Sequence, residues 1–259
     1  MIDVAVAGAT GKLGSMICSL IREQKDMRLV GAVVSAEGGR SGTELYPGIK
    51  AVGPDGIAEL CRHCTVYVDV TKASAAEVNV PIAIKAGANV VLGTTGISPE
   101  FVERLGPSLK ENGRSAVVTP NFSIGVNVFW DTCRSLAKAL PEYEVEIIEM
   151  HHDRKKDAPS GTALRAAQII SAETGVDRFV CGREGIVGAR GREIGIHSIR
   201  AGDIVGEHTV VFAGHNERIE LTHKAHSREM FAEGCIAAIR WVASRNDGAV
   251  HGMDEVAGA

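Results

Sequence analysis

The chain has 259 residues, enough for one large domain or two modest ones, and its 45% apolar and 23% charged residues exclude a disordered chain. A formal net charge of −4 and only 4% aromatics exclude a general nucleic-acid or anionic-membrane surface and a stacking platform for single strands. No apolar run approaches the ~18 residues of a membrane span, so an anion-binding function has to come from a local cationic cluster.

The opening run, MIDVAVAGATGKLG, enters a strand pattern at once and does not read as a secretory leader. The six scattered cysteines, Cys18, Cys61, Cys64, Cys133, Cys181 and Cys235, then read as free thiols in a reducing, cytoplasmic compartment. Apolar strands are predicted at 2–7, 28–34, 66–70, 89–92 and 116–119. Helices alternate with them at 11–24, 55–61, 75–86 and 99–112, the last with Ser98 as cap and Pro99 at its first position. Strands that alternate with helices imply a parallel sheet covered on both faces.

The second half reads differently. A helix is expected at 125–140, a strand at 143–151, and a helix from the Ser160 cap to about 174, ended by Gly175. Strands at 194–200, 208–213 and 218–222 follow, separated by turn signals at 201–203 and 214–217. Ser227 is a cap for a last helix reaching 244. The fold class is therefore α/β: a Rossmann-type parallel-sheet domain and a second α+β domain built on a mixed sheet, with the boundary within 120–125.

Gly8 to Gly14 reads GATGKLG, between a predicted strand and a predicted helix. That context marks a dinucleotide site, because glycines let the backbone approach a pyrophosphate and the helix start offers it N–H groups. The position that would hold the adenosine ribose is Ser35, followed by Ala36 and Glu37. Lys12 and Arg40 can reach a 2′-phosphate, which favours NADPH slightly, while Glu37 argues for NADH. Gly93-Thr94-Thr95-Gly96 ends the fourth strand, where ligands sit in such sheets. His151 to Ala163 reads HHDRKKDAPSGTA and ends at a predicted helix start. Fixed positive charge and helix N–H groups suit a carboxylate, and a histidine suits proton transfer near neutral pH; a solvated loop with a good cap is the plain alternative.

Together these runs resemble the 4-hydroxy-tetrahydrodipicolinate reductase family, also called dihydrodipicolinate reductases, over nearly the whole chain. The resemblance rests on GATGKLG, Asp69-Val70-Thr71, GTTG at 93–96 and NFSIGVN at 121–127. It rests further on EIIEMHH at 146–152, KKDAPSGTA at 155–163, RAGDIVGEHTV at 200–210 and THKAHSR at 222–228. It implies that His151 is the catalytic acid/base and Lys155 a second proton donor. It implies substrate contacts from His152, Gly161 and Thr162, with Ser160 and Thr95 beside them. Gly8, Ala9, Thr10, Gly11, Lys12, Leu13, Gly93, Thr94, Thr95, Thr119, Pro120, Asn121 and Phe122 match dinucleotide contacts. The implied reaction passes hydride from NADPH or NADH to a cyclic dicarboxylate with loss of water, in a homotetramer built through the second domain's sheet. On this reading residues 1–121 bind the dinucleotide, joined by a final helix within 227–259, and 122–226 bind substrate and form the assembly. The anionic ring is expected between 160–162 and the basic loop, facing 93–95. The chain departs from the family's commoner pattern at Ser35-Ala36, Lys72-Ala73, Thr119-Pro120 and Asp153-Arg154.

Other features read as structural. Cys61 and Cys64 have a C-x-x-C spacing with no second pair, so no metal is expected. His223 and His226 read as a strand-to-helix junction. Arg200 either touches substrate or holds a loop through Asp203. Two rival functions stand beside the reductase: a semialdehyde dehydrogenase, which needs a nucleophilic Cys133 or Cys181, and a non-catalytic dinucleotide sensor.

Overall fold

The computed structural model describes residues 1–258. In chain order its elements are β1 (Ile2–Ala7), α1 (Lys12–Glu23), β2 (Met27–Val33), β3 (Glu44–Tyr46), β4 (Ile49–Val52), α2 (Ile57–Cys61), β5 (Val66–Asp69), α3 (Ala73–Lys85), β6 (Asn89–Leu92), α4 (Pro99–Asn112) and β7 (Ala116–Val118). There follow α5 (Ile124–Ala139), β8 (Glu144–His151), α6 (Gly161–Thr174), β9 (Phe179–Cys181), β10 (Ile194–Arg200), β11 (Gly206–Ala213), β12 (Arg218–Ala225), α7 (Glu229–Val242), β13 (Val250–His251) and α8 (Met253–Ala257). They divide into two compact units, Met1–Ile124 with Glu229–Gly258, and Gly125–Arg228.

In the first unit eight strands run in the order β13-β7-β6-β5-β1-β2-β4-β3. All neighbours are parallel except β3, which turns back against β4. Side chains alternate across a strand. Val4 and Val6 therefore pack with Ile17, Ile21, Cys235 and Ile239 from α1 and α7, while Ala5 and Ala7 pack with Val80, Ile84 and Leu105 from α3 and α4. Burial on both faces is why these strands are apolar throughout rather than alternating. From β1 the chain passes to β2 and β4 on one side and returns to β5 on the other, so the end of β1 is the switch point where such sheets bind ligands.

The sequence pattern did not reveal β3, β4 or β13. These strands have two to four residues, too few to show a period, and they exist because a neighbouring edge offers backbone partners. Asn89 anchors the end of α7, its amide donating to the Val242 and Arg245 carbonyls at 2.8 and 3.1 Å. Cys61 and Cys64 lie buried against the same core.

In the second unit five strands run in the order β12-β11-β8-β10-β9. β8, β10 and β9 are parallel, and β11 is antiparallel to β8 and β12. α5 and α6 cover one face, where Phe129, Trp130 and Ala166 pack on Ile147, Ile196, Val210 and Phe212. α6 starts as its sequence dictates: the Ser160 hydroxyl accepts the Ala163 N–H at 3.3 Å.

Candidate active site

β1 delivers the chain to Gly8, whose φ is +81°, a conformation a side chain resists. Gly14 lies in the first turn of α1, where a Cβ would sit 2.1 Å from the Gly8 carbonyl oxygen. The turn therefore carries no side chain where strand and helix meet. Gly11 caps α1 without a side-chain hydrogen bond, leaving first-turn N–H groups to an anion. Beside it lies a cavity of about 520 Å³ whose wall includes Gly8, Thr10, Gly11, Ser35, Glu37 and Thr71. A glycine cradle that a Cβ would fill, opening on such a cavity, fits a dinucleotide.

The other expected cofactor residues fall into distinct settings. Lys12 and Arg40 are exposed and form no part of that wall. Ala9 and Phe122 are buried in the core and Leu13 packs against it. A Cβ on Gly93 would meet the Phe122 ring at 2.1 Å. Thr94 is buried and Thr95 exposed. Thr119 Oγ donates to the Asn121 carbonyl at 2.8 Å, and Pro120 is exposed. Sequence reading gave Asp69 no role, yet its buried carboxylate accepts from the hydroxyls of Thr71 at 2.6 Å, Thr94 at 2.9 Å and Tyr67 at 3.2 Å. It ties the ends of β5 and β6 together.

The second unit builds its constellation on β8. The period of two places Val145, Ile147, Glu149 and His151 in one row facing the helices, and Glu149 is completely buried. His151 Nδ1–H donates to Glu149 at 2.6 Å. Arg200 donates to both Glu149 oxygens at 2.7 and 2.9 Å and to the Asp157 carbonyl at 2.7 Å. The Ser160 N–H adds a bond to Glu149 at 3.1 Å. Burial pushes the Glu149 carboxyl up, but the bonds from Arg200 and His151 prevail and bring it down to about 2. Burial lowers the His151 pKa, with Glu149 pulling the other way. Gly206 leaves room for the His151 ring, since a Cβ there would lie 3.1 Å from Nε2.

Around this pair, Lys155 donates to both Asp157 oxygens at 2.9 and 2.8 Å. Arg228 donates to His152 Nε2 at 2.9 Å. Gly161 and Thr162 open α6. Arg200 thus holds the loop, through Glu149 and Asp157 rather than through Asp203. Sequence reading missed Glu149 and also His208, whose Nε2 lies 3.0 Å from Ser160 Oγ. An acid in the same alternating row as Val145 and Ile147, two residues before a histidine, was the available signal. Cys133 is buried in the core and burial pushes its thiol up to about 12, which disqualifies it as a nucleophile.

A doubly wound sheet with a glycine cradle at its switch point, and a separate unit presenting a His/Lys constellation at a helix start, define a nicotinamide-dependent oxidoreductase of two units. Residues 2–122 match the family described as dihydrodipicolinate reductase, N-terminus, and residues 125–257 its C-terminus. The chain belongs to the dihydrodipicolinate reductase family. It is 47% identical to the 4-hydroxy-tetrahydrodipicolinate reductase of Methanosarcina barkeri, with 100% of each chain covered. It is also 47% identical to that of Methanocaldococcus jannaschii, covering 98% of this chain and 97% of the relative. Among solved structures, the dipicolinate-bound dihydrodipicolinate reductase of Paenisporosarcina sp. TG-14 matches with a TM-score of 0.82 at 26% identity, over 98% of this chain and 99% of that one. The DAP dehydrogenase of C. glutamicum shares the fold alone, with a TM-score of 0.59 at 16% identity over 97% of this chain and 92% of that one.

Proposed function

We propose that the chain reduces (2S,4S)-4-hydroxy-2,3,4,5-tetrahydrodipicolinate, with loss of water, to 2,3,4,5-tetrahydrodipicolinate, a step of diaminopimelate and lysine biosynthesis. The observation that carries this reading is the buried Glu149 carboxylate, which joins His151, Arg200 and the Ser160 cap into one fixed constellation. When bound, the reduced nicotinamide supplies the hydride. Gly8, Ala9, Thr10, Gly11, Lys12 and Leu13, with Gly93, Thr94, Thr95, Thr119, Pro120, Asn121 and Phe122, would hold the dinucleotide, and Ser35 its adenosine ribose. NADPH is favoured slightly, through Lys12 and Arg40, although neither lines the cavity wall. Glu37 on the cavity wall is the argument for NADH, so both are to be assayed.

His151 commits Nδ1–H to Glu149, and its lowered pKa leaves Nε2 with a lone pair at neutral pH. That nitrogen takes a ring C–H proton while the departing hydroxide takes a proton from solvent and leaves as water, and the imidazolium returns its proton to the ring as hydride addition drives an electron pair toward the ring nitrogen. The Lys155 ammonium stabilises that charge and holds a ring carboxylate, which replaces Asp157 as its partner. Ser160, Gly161 and Thr162 bind a carboxylate at the start of α6, with His152 beside them. Thr95 is a further proposed substrate contact.

The assembly is proposed as a cytoplasmic homotetramer formed through the second sheet. In support, the face away from α5 and α6 carries Ile148, Met150, Val211 and Ile199, the last 40% exposed; sedimentation tests it. The decisive experiment measures NADPH and NADH oxidation with the freshly generated condensation product of aspartate semialdehyde and pyruvate. Oxidation that depends on that compound is expected. Its absence with both nucleotides overturns the assignment.

A further inference from the structure

β11 carries one titratable residue in its core-facing row, His208, flanked by Gly206, Val210 and Phe212. It is 4% exposed. In register it lies beside Glu149 on β8 and His223 on β12. Nε2 of His208 is 3.0 Å from Ser160 Oγ, and its Nδ1 is buried with no hydrogen-bond partner among the described residues. The titratable groups around it are Glu149 and His151 on β8, His223 on β12 and Lys155 in the loop before α6, while α5 contributes the Phe129 ring.

The placement of two protons follows from this geometry. Burial, with His151 nearby, pulls the His208 pKa down to about 3, so the ring is neutral and carries one N–H. An orphaned buried N–H is rarer in folded proteins than an under-satisfied acceptor. The partnerless Nδ1 is therefore bare and the proton sits on Nε2, which donates to Ser160 Oγ. That oxygen also accepts the Ala163 N–H. A hydroxyl has two acceptor lone pairs and one O–H. With both lone pairs engaged, neither neighbour can accept the Ser160 proton, and the buried O–H (2% exposed) is left to donate to a third group.

We propose that His208 is a specificity-determining positioning residue: by occupying the Ser160 oxygen as a donor, it makes that hydroxyl an obligate donor and selects an anionic carboxylate at the start of α6. The proposal rests on the substrate site assigned above and names the group that sets its polarity. It concerns a planar ring dicarboxylate, so dipicolinate serves as the binding probe.

Two measurements test it. Imidazole nitrogen NMR of the histidine-labelled protein should show His208 protonated on Nε2 and bare at Nδ1 at neutral pH. A proton on Nδ1, or an imidazolium, overturns the proposal whether or not the protein turns over substrate. Second, His208→Leu should raise the dipicolinate Kd and the substrate KM on the order of tenfold or more. It should change kcat far less and leave NADH affinity unaltered. His208→Gln, whose amide N–H reaches the same oxygen, should recover most of the loss. In a double-mutant cycle His208→Leu should add little to Ser160→Ala. A Gln variant no better than Leu, or additive losses in the cycle, refutes the idea. If His208→Leu fails to fold, the Gln variant and the NMR tautomer still decide it. Wild-type protein that binds dipicolinate but never oxidises NAD(P)H sinks the proposed reaction alone.

Discussion

On the proposed reading each unit offers a helix start to an anion, and the two helix starts are built by opposite means. In the first, α1 begins on glycines and its cap makes no side-chain bond, so main chain alone is offered to the proposed ligand. In the second, α6 begins on Ser160, whose hydroxyl and N–H are engaged by His208, Ala163 and Glu149. A pyrophosphate is long and highly charged, and bare N–H groups at a helix start suffice to hold it. A ring carboxylate is smaller, and recognition of it depends on which atoms carry protons. The first site is therefore sensitive to added atoms and the second to altered charge.

The largest effects should break the second site by removing charge or proton carriers. His151→Ala and Lys155→Ala are each expected to lower kcat by roughly a hundredfold to ten-thousandfold, while NADH affinity stays at the wild-type value. Steady-state kinetics with a cofactor-binding titration checks this, and near-normal turnover in both variants would remove the two residues from the chemistry.

Next, adding one carbon should break the first site. Gly14→Ala places a Cβ against the Gly8 main chain, which cannot rotate away. Overpacking of that kind costs about 1–3 kcal/mol, read here as roughly tenfold to a hundredfold weaker NADH binding. Dipicolinate affinity should not change.

The third test sharpens the comparison through pH. His151 and His208 both have lowered pKa values, His208 down to about 3. As pH falls below their usual value near 6.5, the unfolded chain takes up protons that the folded unit refuses. Their stabilisation is present above that pH and is lost as pH falls toward about 3. Glu149 has the same sign at lower pH, its contribution being present above ~4.3 and lost toward about 2. In the first unit His251 has the opposite sign: burial lowers it, but bonds to Asp247 and Glu255 prevail and raise it. Its stabilisation is present below the usual value and is lost as pH rises through the raised one. Calorimetry between pH 5 and 8 (a window chosen around ~6.5) should show the second unit gaining and the first losing stability with rising pH.

The smallest effect separates a cap from a site. Ser98 accepts the Phe101 N–H at the start of α4 at 3.2 Å, as Ser160 accepts from Ala163. Ser98→Ala should cost about 1 kcal/mol of stability with unchanged kinetics, whereas Ser160→Ala should cost a similar amount and also raise the substrate KM. Urea unfolding and kinetics on both variants resolve the difference.

What the sequence determined by itself was local. The apolar run before Gly8 and the glycine spacing set the first strand, turn and helix, because φ and close approach are properties of a few adjacent residues. Ser98 with Pro99, and Ser160 with Gly175, bounded α4 and α6 for the same reason. His151 and Lys155 were legible as a dense basic segment before a cap. What only the tertiary structure decided was pairing. The alternating row on β8 could have marked Glu149 as buried, yet its charge partner Arg200 comes from β10, a strand about 50 residues on. His208 meets Ser160 only because β11 runs antiparallel to β8 in a particular register. A one-residue slip would turn His208 to the other face, and no local pattern encodes that register. The edge strand β13 likewise exists only where β7 leaves hydrogen-bonding groups open. Local conformational preference is written along the chain. Proton positions at the site depend on which strands become neighbours, a long-range matter of packing.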